Sequence, residues 1–229
     1  MRKLSTYEDQ NGEMYNCATV SPDGNSLAIG CKSGDVFVLD IETNEITKVS
    51  YDARHGNRVQ CLTWNEKGLY SLGWDDVLFH WDVKTRTAVQ TVFVPCANQD
   101  AFTIADDVVT VGISELRNNL KVFDLRKYKN ELVLNTTLTS AQAHPRLAET
   151  DKDCGILTLK QCRFDPSLWT ATTFHNNTLQ FLKNDGSKFT PLYSFEGLEK
   201  PIETMVSSLQ KKRLFYGAQK QSGVIDISL

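Results

Sequence analysis

Leu78-Phe79-His80-Trp81-Asp82 has a near copy on each side: Val36-Phe37-Val38-Leu39-Asp40 before it and Leu120-Lys121-Val122-Phe123-Asp124 after it. The closing aspartates, Asp40, Asp82 and Asp124, stand 42 residues apart in both steps. Each copy reads as an apolar strand that ends in a carboxylate. A unit of roughly 40–45 residues recurring at a fixed interval marks a repeat architecture, in which every unit is one supersecondary element.

Working outward from the central copy, the second unit has strands over Val59 to Trp64, Leu69 to Leu72, Val77 to Val83 and Ala88 to Val94. Asn65-Glu66-Lys67-Gly68 and Gly73-Trp74-Asp75-Asp76 join the first three. The first unit repeats the pattern with strands over Tyr15 to Val20, Ser26 to Gly30, Val36 to Ile41 and Glu45 to Val49. Its first turn, Ser21-Pro22-Asp23-Gly24, pairs a proline that presets φ with a glycine free to take positive φ. The third unit reads Ala101 to Ala105, Val108 to Ile113, Leu120 to Leu125 and Leu132 to Leu138. The period then breaks at an inserted loop, Ala141 to Gly155. A fourth unit follows with strands over Thr158 to Phe164, Trp169 to Phe174, Thr178 to Leu182 and Leu192 to Phe195, and a turn at Asp165-Pro166-Ser167. The fifth has Glu203 to Leu209, Leu214 to Gly217 and Val224 to Ile227, and stops after its third strand. A spare strand-like segment, Lys3 to Tyr7, precedes the first unit and is expected to pair with Val224 to Ile227, protecting open sheet edges. The chain is therefore expected to be all-β: a single propeller domain over 1–229, with about five four-stranded antiparallel blades at 14–50, 57–95, 99–140, 156–196 and 202–229, forming a ring or part of one.

A net charge of −3 over 229 residues lacks the concentrated basic face of a nucleic-acid binder. Lys211-Lys212-Arg213 lies between apolar strands and reads as a solvated turn. No stretch approaches the ~18–20 apolar residues of a membrane span, and the first residues carry no secretory apolar core. The six cysteines, at 17, 31, 61, 96, 154 and 162, form no CxxC motif. They read as small buried side chains in a reducing compartment, so a cytoplasmic location is expected, with the nucleus left open.

With the repeat in hand, the chain resembles the WD40-repeat propeller family, through the Trp81-Asp82 that closes the third strand of the second unit. The resemblance implies a buried hydrogen-bonded chain: a His before the first strand, a Ser or Thr on the second, an Asp in the next loop and the Trp of the third. Here Ser71, Asp75 and Trp81 hold those spacings and His55 supplies the imidazole, although Arg54-His55-Gly56 reverses the family's Gly-His order. A buried Asp needs donors, and indole and imidazole provide them. The other units lack the set: Leu39, Phe123, Phe181 and Ile227 replace Trp, and Ser33, Arg117, His175 and Gln221 replace Asp75. Residues 21–76, with Pro22-Asp23-Gly24, Leu39-Asp40-Ile41-Glu42-Thr43 and Gly73-Trp74-Asp75-Asp76, are also similar to two blades of the actin-interacting WD-repeat proteins that act with cofilin.

His55, Ser71 and Asp75 invite a hydrolase reading, but no Gly-x-Ser-x-Gly elbow is present and Ser71 lies within a strand. His144, His175, Cys154 and Cys162 lack zinc-ligand spacing. Asp40, Asp82 and Asp124 recur at one place in each unit, where an aspartate accepts turn N–H groups. No catalytic, cofactor or metal site is therefore expected. Trp64 and Trp81, on strands, read as core. Trp74, on a loop, is the candidate anchor for a partner, with Arg58 and Asp76 as its polar surround. The expected role is a non-enzymatic scaffold that binds other proteins, within a multi-subunit complex, through propeller faces. The alternative is an actin-interacting protein that promotes cofilin-dependent filament disassembly.

Overall fold

The structure is a computed structural model that describes residues 12–95, 101–105, 107–113, 120–126, 132–136, 155–173, 178–186, 188–195, 200–208, 212–219 and 221–227. The expected closing strand at 3–7 and the insertion at 141–154 lie outside these residues. The chain divides into two compact units, Met1–Val94 and Pro95–Leu229.

The first unit holds two four-stranded antiparallel sheets, each in sequence order. One comprises β1 (Tyr15–Val20), β2 (Ser26–Cys31), β3 (Val36–Asp40) and β4 (Ile46–Lys48). The other comprises β5 (Val59–Asn65), β6 (Gly68–Gly73), β7 (Val77–Asp82) and β8 (Thr87–Phe93). Because side chains alternate across a strand, one face of the first sheet carries Ala28, Val36 and Val38. These pack with Val49, Val59, Leu69, Phe79 and Trp81 in one buried cluster. Trp64 is half-buried at its margin rather than fully enclosed.

The second unit holds two more four-stranded sheets and a three-stranded one. These are β9 (Phe102–Ala105), β10 (Val108–Gly112), β11 (Leu120–Asp124) and β12 (Leu132–Thr136); then β13 (Ile156–Cys162), β14 (Asp165–Thr173), β15 (Leu179–Asn184) and β16 (Phe189–Phe195). The last is β17 (Ile202–Ser207), β18 (Arg213–Ala218) and β19 (Gln221–Asp226), without a fourth strand among the described residues. Trp169 is buried with Leu120, Ile156, Leu159 and Leu182, and meets Phe189 edge to face at 5.5 Å. Among the described residues no helix is long and apolar enough to cross a membrane.

One turn differs from expectation. The chain reverses at Arg163-Phe164, and Asp165-Pro166-Ser167 belongs to β14. Gln161 pairs with Trp169 but Cys162 pairs with Asp165, so Pro166, Ser167 and Leu168 form a bulge opposite β13. A proline has no N–H to give a ladder and is tolerated at a bulge. The Asp165 carboxylate accepts the Ser167 N–H at 2.9 Å, and the Gln161 amide donates to the Pro166 carbonyl at 2.7 Å.

The repeated aspartates do the same work in the first three repeats. Asp40 accepts the N–H groups of Glu42 and Thr43, Asp82 those of Lys84 and Thr85, and Asp124 that of Arg126. These bonds hold the Asp40 and Asp82 carboxyls below the usual carboxylate range. The turns they cap end in left-handed residues at equivalent positions, Asn44 at φ 61° and Arg86 at φ 61°.

Gly34 meets a harsher requirement, in the turn between β2 and β3. Its φ is +94°, and a Cβ there would lie 2.2 Å from the His55 carbonyl oxygen. Gly24, at φ +77°, has open space around it. Gly24→Ala should cost about 1 kcal/mol from backbone conformation alone. Gly34→Ala should cost clearly more, because it also displaces the connection before β5. Chemical denaturation of the two variants measures the difference; equal losses would show that the His55 backbone yields freely.

Candidate functional site

The site lies at one end of the first unit, where the connection from β4 to β5 meets the β2–β3 and β6–β7 turns. The His55 N–H donates to the Gly34 carbonyl at 3.2 Å, and the Trp74 N–H donates to the Arg58 carbonyl at 3.0 Å. Two backbone bonds thus fasten the long connection to the turn on either side.

Below this surface runs a chain of side-chain hydrogen bonds. The Trp81 indole N–H donates to Ser71 Oγ at 2.7 Å, Ser71 Oγ lies 2.7 Å from His55 Nε2, and His55 Nδ1 lies 3.0 Å from Asp75 Oδ1. The indole reaches Ser71, and Asp75 joins the chain through the imidazole. The other oxygen of Asp75 accepts the Gly56 N–H at 2.7 Å. Donor bookkeeping assigns the tautomer. An indole can only donate and a carboxylate can only accept, so Ser71 accepts from Trp81, Asp75 accepts from Nδ1–H, and Nε2 is left to accept the Ser71 hydroxyl. The neutral ring then carries its proton on Nδ1, aimed at the Asp75 carboxylate. Phe79 closes the imidazole edge to face at 4.7 Å.

This arrangement is built for stability. Ser71 is 0% exposed and His55 1% exposed. A nucleophile that no substrate can reach, and whose oxygen is occupied on two sides, has no means of attack. Burial pushes the His55 pKa below its usual value, against the opposing pull of Asp75. Among the described residues no group of His, Cys, Asp or Glu could hold a metal ion; His144, His175 and Cys154 lie outside them. Cys17, Cys31, Cys61 and Cys162 are free thiols, and burial pushes Cys17 and Cys162 up to about 12.

Above the chain, Trp74 is 52% exposed. The Arg58 guanidinium carbon sits 3.8 Å from its ring centroid, within cation–π range. Asp76 adopts φ 58° and its carbonyl accepts the Val94 N–H at 2.7 Å, so its backbone ties the turn to the end of β8. The structure thus brings Trp74 and Arg58 into direct contact, with Asp76 shaping the turn beside them. Sequence reasoning missed the stacking of Arg58 on Trp74 and the anchoring role of Gly34; the glycine in Ser33-Gly34-Asp35 was the available signal. It also missed a cleft of about 380 Å³ at the opposite end of the same sheet. Trp64, Lys67, His80, Val83, Lys84 and Val89 line it.

Two predictions follow from the buried chain. Asp75→Ala leaves the His55 Nδ1–H and the Gly56 N–H without acceptors, and Ser71→Ala strands the Trp81 indole. Each should destabilise by roughly 1–3 kcal/mol in denaturant melts; an unchanged midpoint in either would show that the chain contributes nothing. The pH dependence follows from the lowered His55 pKa. The folded state holds fewer protons at this ring than the unfolded chain, so its contribution is complete above the unfolded value of about 6.5 and is lost as pH falls below it. The melting temperature should fall between about pH 7 and pH 5.5, and less steeply in His55→Gln. Identical slopes in the two proteins would sink this assignment.

Comparison with known proteins agrees with the repeat. Residues 3–67 match the family model described as the anaphase-promoting complex subunit 4 WD40 domain. The Antiviral protein SKI8 of Saccharomyces cerevisiae is 29% identical over 132 residues, covering 48% of this chain and 32% of that protein. Meiotic fizzy-related protein 1 of Schizosaccharomyces pombe is 38% identical over 61 residues, 27% of this chain and 14% of that one. WD repeat-containing protein 1 of Bos taurus is 29% identical over 84 residues, 35% of this chain and 14% of that one. The chain thus spans less than a third of the length of these relatives. Among solved structures, the β-propeller domain of Myceliophteria thermophila Cps50 (Swd1) superposes with a TM-score of 0.71 at 15% identity, over 95% of this chain and 65% of that one. A chain of the Mitotic Checkpoint Complex superposes with a TM-score of 0.56 at 16% identity, over 94% of this chain and 74% of that one. The repeat period, the sequential antiparallel sheets and these likenesses together support a WD40-repeat β-propeller.

Proposed function

We propose that this protein is a non-catalytic interaction scaffold and that the Trp74–Arg58 end of its second blade is a surface that captures partner proteins. The observation that carries the reading is the half-exposed Trp74 indole, held on a turn whose neighbours are locked by backbone bonds and by the Asp75 chain. Trp offers large apolar area at low conformational cost, and a pre-organised aromatic beside an Arg is the composition of interface hot spots. The solved neighbour from a Mitotic Checkpoint Complex and the model for an anaphase-promoting complex subunit both concern multi-protein assemblies, which supports protein partners. The buried free thiols support placing the protein in a reducing compartment such as the cytoplasm.

The likeness of residues 21–76 to the actin-interacting group supports a second reading, in which the partners are actin filaments and cofilin. Co-sedimentation with filamentous actin, with and without cofilin, separates the two.

Affinity purification from the native cell, comparing the parent with Trp74→Ala, tests the scaffold reading. The variant should lose at least one reproducibly captured partner while its melting temperature stays within about 2 °C of the parent, as expected for a surface change below about 0.5 kcal/mol. Retention of every partner, or collapse of the fold, would refute the assignment of Trp74 as an anchor.

A further inference from the structure

The last sheet leaves bare a row of side chains that its counterparts bury. A bulge near the start of the first strand falls between Tyr15 and Cys17, Val59 and Cys61, Ile156 and Thr158, and Ile202 and Thr204, which aligns four sheets residue by residue. Two residues beyond it a row crosses the strands. The row is Thr19, Ala28 and Val38 in the first sheet, Thr63, Tyr70 and His80 in the second, and Lys160, Thr170 and Phe181 in the fourth. In the last sheet it is Val206, Phe215 and Val224. Ala28, Val38, Tyr70, Thr170 and Phe181 are buried. Within each unit the cover is the next sheet of the chain: Ala28 and Val38 cluster with Leu69 and Trp81, and Phe181 with Met205, Leu214 and Ile227. Phe215 is 42% exposed, Val206 51% and Val224 52%, and no sheet follows β19 among the described residues. Contiguous apolar surface of this kind marks an interaction face.

The face that fits this row is open on the first sheet. In the joint between the fourth and last sheets, the last sheet turns Met205, Ser207 and Ile227 inward, and all three are buried. The same alignment makes Ala18, Val20 and Ile41 their counterparts. The backbone confirms the match at the far strand: the Ile41 N–H donates to the Asn25 carbonyl at 2.9 Å and the Ile227 N–H to the Lys212 carbonyl at 2.7 Å. Ala18 is exposed, Val20 is 51% exposed and Ile41 47%. One molecule thus carries both halves of an apolar sheet-on-sheet joint, each without its cover.

Charge agrees with the fit. In the internal joint, turns at the same end of the two sheets come together: the Arg163 N–H, between β13 and β14, donates to Ser207 Oγ at 2.7 Å, where β17 enters its turn. On the last sheet this end carries Lys211, Lys212 and Arg213 in sequence, against one carboxylate, Asp226, which pairs with Arg213. Asp165 of the preceding sheet faces Lys212 and Lys183 together, so cations outnumber carboxylates here. The same end of the first sheet, residues 20–26 and 40–46, carries Asp23, Asp40, Glu42 and Glu45 and no Lys or Arg.

We propose that the last sheet of one copy of this protein packs on the first sheet of a second copy, repeating between molecules the joint that the fourth and last sheets make within one. Phe215 and Val224 lie against Ala18, Val20 and Ile41, and the basic segment Lys211 to Arg213 lies beside the acidic turns. Because the two faces differ, the joint is directional, and copies add head to tail until a ring closes. The proposal is independent of the partner surface above, since neither face includes Trp74.

Sedimentation of the whole chain over about 1–100 μM tests this. The parent should gain mass above the 25.8 kDa monomer as concentration rises, and raising salt from about 0.1 to 0.5 M should weaken the association. Phe215→Asp spoils one face and Val20→Lys the other. Each variant alone should stay monomeric, whereas an equimolar mixture keeps one intact joint and should give a one-to-one dimer. Both sites are exposed, so melting temperatures should stay within about 2 °C of the parent; Phe215→Ser and Val20→Ser repeat the test if a charged variant melts early. A parent that stays monomeric throughout overturns the proposal. So does a well-folded single variant that associates by itself, or a mixture that remains monomeric.

Discussion

The hydrogen bond between the Trp81 indole and Ser71 is the fixed point on which the surface of the second blade depends. It closes a line of donors and acceptors that crosses three elements: β7 through Trp81, β6 through Ser71, and the connection before β5 through His55. The line ends on Asp75, which also holds the backbone of Gly56. Trp81, Ser71 and His55 are buried, Asp75 is partly so, and each polar group is answered, so any register slip between β6 and β7 would leave several of them unpaired at once. Satisfaction of buried groups, more than the summed strength of the bonds, makes the arrangement specific.

That specificity is transmitted outward. Asp75 stands between Trp74 and Asp76, so fixing its carboxylate fixes the turn that presents the indole. The Trp74 N–H to Arg58 carbonyl bond brings the second loop to the first. A binding loop gains affinity when little ordering remains to be done on association. The interior chain and the exposed pair thus form one device, with its rigid part in the sheet and its recognition part at the end of the strands, where loops can vary without disturbing the core.

Blades without the tetrad solve the same problem by other means. In the first, the Ser50 hydroxyl accepts the Val36 N–H at 3.0 Å and donates to Asp35, which Lys48 neutralises. In the fourth, the Thr158 and Thr172 hydroxyls meet at 2.8 Å and Thr172 donates onward to the Ile202 carbonyl. Leu39 and Phe181 fill with apolar volume the place that the repeat gives to an indole. Divergence of the repeat therefore changes which groups bridge neighbouring strands and leaves the sheets in sequence order.

Much of this was legible from the chain. The alternation of Val36 to Asp40, Leu78 to Asp82 and Leu120 to Asp124 encodes strands because side-chain period and backbone period coincide in a β-sheet, and the aspartate caps are local, reaching only two or three residues ahead. Ser71, Asp75 and Trp81 were legible because they keep fixed spacings within one blade, whereas His55 departs from the family's order and the structure places its ring between Ser71 and Asp75. The bulge at Pro166 was not, since a turn and a bulge share the same residues and only the pairing of Cys162 with Asp165 distinguishes them. Nor was the fate of Trp64 and Trp169: whether an indole is enclosed depends on which sheet covers it. The stacking of Arg58 on Trp74 joins residues 16 positions apart through a bond between two loops, and no local pattern specifies that. Sequence by itself determined the elements, their order and the interactions that stay within a blade, because these follow from short-range geometry. Tertiary structure alone decided which aromatic rings are enclosed and which stay open, because that depends on groups brought together from distant parts of the chain.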